Sequence, residues 1–459
     1  MNVAQHESSP LATPHSASNA HRAVIVGLGR SGLSCARHLR ARGIDFAVTD
    51  NRAAPPEADA LERLAPDAPT RFGAFDLALL DDASQIVVSP GLSVREPFIA
   101  AAAARGLPIV GDVELFAREA QAPIAAITGT NGKSTVTTLV TQMAQACARR
   151  TLAGGNLGRP ALDLLEEPLP DLYVLELSSF QLETTSSLRA RVASVLNVTA
   201  DHMDRYSSLT EYAAAKARIL AHCDTAVINL DDPLVRSMPH GNARVVGVSL
   251  AGDASADYYV STSKEEVELM RQGERLVAMS ELKIAGLHNA LNALAALAMC
   301  EALELELERC IEALLGFEGL PHRSQWIADI AGVRFVDDSK GTNVGATAAA
   351  IAGMPGSLVL IAGGQGKGQD FAPLAAAMRG KVRHVVLIGQ DAQRLAAALE
   401  STVTTELAAD MGDAVVRAAS AAKPGETVLL SPACASLDMF RDYAHRGEEF
   451  AHAVRRSAS

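Results

Sequence analysis

The stretch AITGTNGKST, Ala126 to Thr135, carries an apolar run into a glycine turn and then into Lys133, Ser134 and a helix-forming sequence. Amides of such a turn and of the helix start point at phosphate oxygens, the lysine adds charge, and the serine hydroxyl can ligate Mg²⁺. The spacing departs from the general phosphate loop, G-x-x-x-x-G-K-[ST]. Only Thr130 and Asn131 separate Gly129 from Gly132, and Ile127 stands where the first glycine is usual. The plain alternative is a glycine turn capped by Ser134. A second glycine pattern, Gly27-x-Gly29-x-x-Gly32 with Asp50 downstream, suits a dinucleotide pyrophosphate, another nucleotide, or a bare turn. Arg52, two residues past Asp50, suits a phosphate as well as Asp50 suits a ribose.

Other groups capable of chemistry follow apolar runs. Glu176 ends LYVLE, where a carboxylate beside a phosphate loop fits the few-carboxylate habit of Mg²⁺; an ordinary surface glutamate fits the sequence equally. Asp201, His202 and Asp204 crowd the segment NVTADHMDRY, and Lys216 follows on a helix among alanines. A lone loop histidine usually hydrogen-bonds and a lone helical lysine is usually solvated. Close approach of another surface to Lys216 would instead favour its neutral amine, which can react with CO₂. In the last third, Asp337–Asn343 follow VRFV, Lys367 sits in GGQGKGQDF, and Ser436 sits in SPACASLDMF. Three polar loops after three strands make a substrate-facing edge.

Elements of one kind position all of these: short β-branched strands, each running into a loop and a helix. That alternation predicts α/β architecture with parallel βαβ units, whose ligands bind at the carboxyl ends of the strands. The length, 459 residues, is too great for one ordinary core and suggests three successive domains. We expect a disordered tail over 1–20, which has no apolar signal-peptide core, then domains over 21–111, 112–319 and 320–459. A hydrophobic share of 48% with 20% charged residues is globular. No apolar run is long enough to span a bilayer, so no membrane insertion is expected. Six scattered cysteines without a C-x-x-C pair favour reduced thiols in a cytoplasm over disulfides or zinc. A net charge of −12 argues against a broad nucleic-acid surface.

Taken jointly, these stretches resemble the Mur ligase family, the ATP-dependent amide-forming enzymes of peptidoglycan precursor synthesis. The likeness runs from about Arg22 to the C-terminus. It rests on GLGRSGLS, SPG, GDVELF, ITGTNGKSTVTTL, GGNLG, LELSSFQLE, NVTADHMDRY, AAKARI, GLPHR, DDSKGTNVGAT, GGQGK and LSPACASLD, in that order. The resemblance implies a Rossmann-like N-terminal domain, a central P-loop ATPase domain with a mainly parallel sheet, and a Rossmann-like C-terminal domain. It also implies an activity. The γ-phosphate of ATP would pass to a substrate carboxylate, and an amine would displace it from the resulting acyl phosphate. The substrates it implies are UDP-N-acetylmuramoyl-L-alanine and D-glutamate, handled by a cytoplasmic monomer without nucleic acid.

By the same resemblance, Gly129, Thr130, Asn131, Gly132, Lys133, Ser134 and Thr135 would cradle ATP. Asn289 and Asn292 would meet its adenine, Asp338 its ribose and Arg323 a phosphate. Ser134 and Glu176 would hold one Mg²⁺. His202 and Lys216, the latter as an N-carboxylated side chain, would serve a second. Lys133, His202, Lys216 and Lys340 would be catalytic. The UDP-sugar would meet Arg30, Ser31, Asp50, Asn51, Arg52, Ser89 and Asn156, and D-glutamate would meet Thr342, Lys367 and Ser436. Three positions depart from the family pattern: Asn51 for an expected Thr, Gly341 for an Ala, and Tyr443 for a Phe.

Overall fold

A computed structural model describes residues 22–156, 158–253, 255–263, 266–284 and 286–457; the expected tail, 1–20, lies outside them. The chain divides into two compact units between Val110 and Gly111.

The first unit is built on five parallel strands in the order Thr70–Phe72, Phe46–Asp50, Arg22–Val26, Ala83–Val88, Ile109–Val110. All five residues of Phe46–Asp50, and all of Arg22–Val26 except Arg22, are buried, as helices on both faces of a parallel sheet require. The order runs outward from Arg22–Val26 in both directions. A switch point therefore falls between the carboxyl ends of Arg22–Val26 and Ala83–Val88, the position where open α/β sheets take ligands.

The second unit carries two sheets. In the larger, seven parallel strands run in the order Tyr258–Ser263, Arg244–Ser249, Thr225–Asn229, Val192–Val195, Ile124–Thr128, Leu172–Glu176, Thr151–Gly155. Two antiparallel strands, Glu266–Arg271 and Glu274–Ala278, extend it beyond Tyr258–Ser263. Their two-residue turn places Gln272 and Gly273 at φ of 47° and 91°, the left-handed pair that matches hairpin twist. The Ala- and Leu-rich helix Leu287–Ala302 buries most of its length against this sheet and against the helix Lys133–Ala146.

The smaller sheet has the order Gln325–Ile330, Val333–Asp337, Thr427–Leu430, Leu358–Gly363, Val382–Ile388, Thr404–Leu407. Only its first strand is antiparallel. The three sheets have the expected α/β character: Rossmann-like, mainly parallel, and Rossmann-like in chain order. Among the described residues no helix is long and apolar enough to cross a membrane.

Candidate active site

The strand Ile124–Thr128 is buried throughout and delivers the chain to the turn Gly129–Gly132. Gly132 has φ 84°, a left-handed conformation that glycine adopts without strain, and the helix Lys133–Ala146 starts immediately after it. A Cβ at Gly132 would also lie 2.3 Å from Asn292 Oδ1. The turn is held from the side by Asn197, whose Oδ1 accepts from Asn131 N–H at 2.8 Å and whose Nδ2 donates to Asn131 O at 3.0 Å. Thr130 Oγ1 accepts from Thr199 N–H at 3.0 Å. A loop fixed in this way keeps its amides oriented before any phosphate arrives, so the ordering cost of binding falls.

Two lysines converge on one carbonyl. Lys133 Nζ donates to Gly129 O and Thr130 O, each at 2.9 Å, and Lys216 Nζ donates to the same Gly129 O at 2.9 Å. Lys216 is 1% exposed, on the helix Leu209–Ala217, with its nitrogen 4.4 Å from the Tyr212 ring centre. The solvated lysine that the sequence allowed is therefore excluded. Burial pushes both amines below the ordinary lysine range, and the Lys133 charge depresses Lys216 further. Glu176 and Asp201 act in the opposite direction.

Glu176 is 2% exposed, which removes the surface reading. Its Oε1 accepts from Asn156 Nδ2 at 2.7 Å, while its Oε2 is buried with no hydrogen-bond partner. An orphaned buried carboxylate oxygen costs free energy unless a cation or donor meets it. With Ser134 buried on the first turn of the adjacent helix, the donor set is oxygen-only and suits Mg²⁺. Among the described residues no three His, Cys, Asp or Glu side chains gather as a metal site, so Mg²⁺ would keep water and phosphate ligands. His202, at φ 57°, stacks edge-on against Phe180 at 4.9 Å; burial holds its pKa down, to about 4, so its ring is neutral at pH 7.

A cleft of about 810 Å³, counting its open mouth, lies beside the turn. Asn131, Asn289, Asn292, Arg323, Asp338 and Lys340 are among its lining residues. Asn292 Nδ2 donates to Asn289 Oδ1 at 3.2 Å. Arg323 is half-buried, and its partial desolvation lowers its pKa. Asp338 accepts from Ser324 N–H at 3.1 Å and Ser431 Oγ at 2.7 Å, yet burial raises its carboxyl to about 7. Lys340 stands 3.8 Å over the Tyr443 ring; burial first, then Arg323 and Lys133, bring it down to about 8.

Two departures gain a physical account. A Cβ at Gly341 would lie 2.7 Å from both Asp338 Oδ2 and Ser431 Oγ, so alanine there requires this carboxylate to shift. Tyr443 supplies Lys340 with an aromatic face, as phenylalanine would. Nothing in the structure explains Asn51.

The polar loops of the smaller sheet meet one another. Gln365 and Ala435 exchange both backbone hydrogen bonds at 2.9 Å, which joins the Lys367 loop to the Ser436 loop. Lys367, at φ 50°, donates to Asp201 Oδ1 at 2.7 Å. Asn343 caps the helix Val344–Gly353 through Oδ1, while its Nδ2 donates to Asn131 Oδ1 at 3.1 Å and Asp201 Oδ2 at 3.3 Å. Burial would raise the Asp201 carboxyl, but Lys367 and His202 bring it below the ordinary range. Thr342 is half-buried in the turn after Lys340, and Ser436 is buried. Sequence reasoning named Asp201 and Asn343 without giving them a role, and it passed over Asn197. Their signal was placement at strand ends; their pairing across two sheets had none.

In the first unit, Asp50 Oδ2 accepts from Leu28 N–H at 2.7 Å, and its two oxygens take Arg52 Nε and Nη2 at 2.8 and 2.6 Å. Ser89 Oγ donates to Gly27 O at 2.6 Å, across the switch point. A Cβ at Gly32 would lie 2.1 Å from Gly27 O, so the fingerprint glycine serves close packing of helix on strand. Arg30, Ser31 and the exposed Asn51 flank this cluster, whereas Asn156 belongs to the second unit, beside Glu176. Burial alone would raise the Asp50 carboxyl; Arg52 and the Leu28 amide overcome it and hold it at about 2.

A depressed carboxyl contributes stability above its unfolded value, and that contribution fades as pH falls from about 4 to about 2. That depression corresponds to about 2 kcal/mol, less for solvent around the half-exposed Arg52. Urea unfolding of Asp50→Asn should therefore show a deficit of about 1–2 kcal/mol at pH 7 that closes near pH 2–3. A deficit independent of pH would contradict this assignment.

Comparison with known proteins matches three family models in chain order. "Mur ligase MurD-like, N-terminal domain" covers residues 21–111, "Mur ligase middle domain" 127–300, and "Mur ligase, glutamate ligase domain" 322–434. The chain is 53% identical over 434 residues to a UDP-N-acetylmuramoylalanine--D-glutamate ligase of Nitrosococcus oceani, covering 94% of this chain and 96% of that protein. A protein of the same name from Methylobacillus flagellatus is 51% identical, with 94% and 96% covered. Among solved structures, a pseudomurein peptide ligase type C from Methanothermus fervidus superposes with a TM-score of 0.62 at 18% identity. It covers 95% of this chain and 100% of that one, and shows likeness of fold.

Proposed function

The chain belongs to the Mur ligase family, and from that premise we propose that it is an ADP-forming ligase joining D-glutamate to UDP-N-acetylmuramoyl-L-alanine. The observation that carries this reading is near-full-length identity of about half to relatives bearing that name, with the buried phosphate loop and its two lysines intact. We read the chain as functional domains over 21–111, 112–319 and 320–459, acting as a cytoplasmic monomer.

A free carboxylate is a poor electrophile, whereas an acyl phosphate has a good leaving group. In our reading the alanyl carboxylate oxygen attacks the γ-phosphorus of ATP and the bond to ADP breaks. The D-glutamate amine then attacks the acyl carbon, orthophosphate leaves, and the amine proton is lost. Both steps gather anions, so positioning and cationic neutralisation supply the catalysis. Gly129–Thr135 cradle the phosphates with Lys133 on them. Asn289 and Asn292 take adenine, Asp338 the ribose and Arg323 a phosphate. Lys340 offers charge near the transferred group. Mg²⁺, when bound, supplies charge neutralisation; Ser134 and Glu176 would hold one ion, and His202 with N-carboxylated Lys216 a second. The orphaned Glu176 Oε2 and the neutral His202 support that fit.

Arg30, Ser31, Asp50, Asn51, Arg52 and Ser89 in the first unit would bind the UDP-substrate. Thr342, Lys367 and Ser436 would hold D-glutamate, with Lys367 leaving Asp201 for the side-chain carboxylate. Orthophosphate release should require ATP, the UDP-substrate and D-glutamate together. Isotope-labelled oxygen placed in the alanyl carboxylate should appear in that phosphate. Label remaining wholly in the product would exclude the acyl phosphate.

A further inference from the structure

Among the described residues Arg446 is the largest fully buried side chain, at 0% exposure, and no carboxylate there is hydrogen-bonded to it. A buried arginine without a paired acid is rare, because desolvating the guanidinium is costly unless its fork of donors is used. Here the fork is spent on two loops. Nε donates to Ser339 Oγ at 3.0 Å, Nη2 to Ser339 O at 2.8 Å, and Nη1 to Cys434 O at 3.0 Å. Burial lowers its pKa to about 10, so it remains a cation at neutral pH.

Ser339 precedes Lys340, and Cys434 stands two residues before Ser436. The helix that carries Arg446, Tyr443–Ser457, reaches the Ser339–Lys340 turn at two further points and the adjoining His322–Asp337 pair at a third. Tyr443 O accepts from Ser339 Oγ at 2.7 Å, and the Tyr443 ring lies beneath Lys340. A Cβ on Gly447 would stand 2.2 Å from His322 Nδ1 and 2.6 Å from Asp337 Oδ2. The helix backbone is therefore pressed onto the His322–Asp337 pair, which is closed at 2.7 Å. Those two residues immediately precede Arg323 and Asp338.

We propose that Arg446 is a positioning residue for the amino-acid subsite, fastening the Ser339–Lys340 turn and the Cys434–Ser436 loop to one rigid helix so that their spacing fits D-glutamate. The inference rests on the function proposed above. Arg446 touches no substrate; it acts through the two loops. Lysine at this position keeps the charge but offers a point donor in place of a fork, so it cannot hold both loops.

The test compares steady-state kinetics of the parent, Arg446→Lys and Ser339→Ala in the full-length chain. Ser339→Ala removes the hydroxyl's two contacts, with Arg446 Nε and Tyr443 O, and leaves the buried guanidinium with two carbonyl acceptors. The KM for D-glutamate should rise roughly tenfold in Arg446→Lys and roughly threefold in Ser339→Ala, while that for the UDP-substrate stays within about twofold. A purely structural role would lower the active fraction and leave both KM values in place. Should Arg446→Lys fail to fold, Ser339→Ala decides. An unchanged D-glutamate KM, or an equal rise for both substrates, overturns the inference. A parent protein that does not use D-glutamate overturns the functional reading and this inference with it.

Discussion

Replacing Lys216 by alanine should lower ligation by roughly a thousandfold or more, the scale of losing a group that organises charge in a closed site. The side chain is buried, it shares the Gly129 carbonyl with Lys133, and among the described residues its one hydrogen bond is to that oxygen. Two ammonium groups on one acceptor repel, and burial adds to the cost, so the amine is driven toward its neutral form. A neutral amine adds CO₂ with loss of one proton and becomes an anionic carbamate. On Lys216 such a change would replace repulsion of Lys133 with attraction and would provide oxygen donors for a hard cation.

Two measurements check this. Labelled bicarbonate should give a carbamate carbon resonance in the parent protein that is missing from Lys216→Ala, and acetate or bicarbonate should restore part of the variant's activity. Full activity in Lys216→Ala would sink the modified-lysine reading.

Lys133→Ala should have a comparable effect, roughly a thousandfold on kcat, for a different reason. Its ammonium is the one cation of the phosphate turn itself, bound to the carbonyls of Gly129 and Thr130. Truncation frees two carbonyls that the ammonium orders and, in the proposed reaction, would remove a charge beside the transferred phosphoryl group. The loss should appear in kcat with the UDP-substrate KM within about twofold, since the first unit is untouched. Nucleotide binding should weaken as well, which calorimetry with a non-hydrolysable ATP analogue would register. A kcat within tenfold of the parent would remove Lys133 from the chemistry.

Much of the site was legible because its parts are local. A phosphate turn is a matter of consecutive residues: Gly132 must adopt φ 84°, Lys133 must open a helix, and an apolar strand must precede them. The parallel strands could be read in the same way, since strands covered on both faces are continuous apolar runs. The hairpin Glu266–Ala278 was missed although its turn, Gln272-Gly273, carries a hairpin signal; alternation along short, charged strands is weak. The roles of Lys216 and Glu176 were ambiguous in sequence because exposure, which separates a solvated charge from an orphaned one, is not a local property.

The amino-acid sequence by itself determined the α/β class, the phosphate turn, the family and the groups capable of catalysis, since each depends on residue type and short-range spacing. Only the tertiary structure decided how charges distant in the chain meet. Lys216 and Lys133 share one carbonyl, Lys367 pairs with Asp201, and Asn343 spans Asn131 and Asp201. Arg446 ties Ser339 to Cys434 across more than ninety positions of chain. Such pairings are set by strand order and helix packing, and a linear pattern carries no record of which loop ends a folded sheet brings into hydrogen-bond contact.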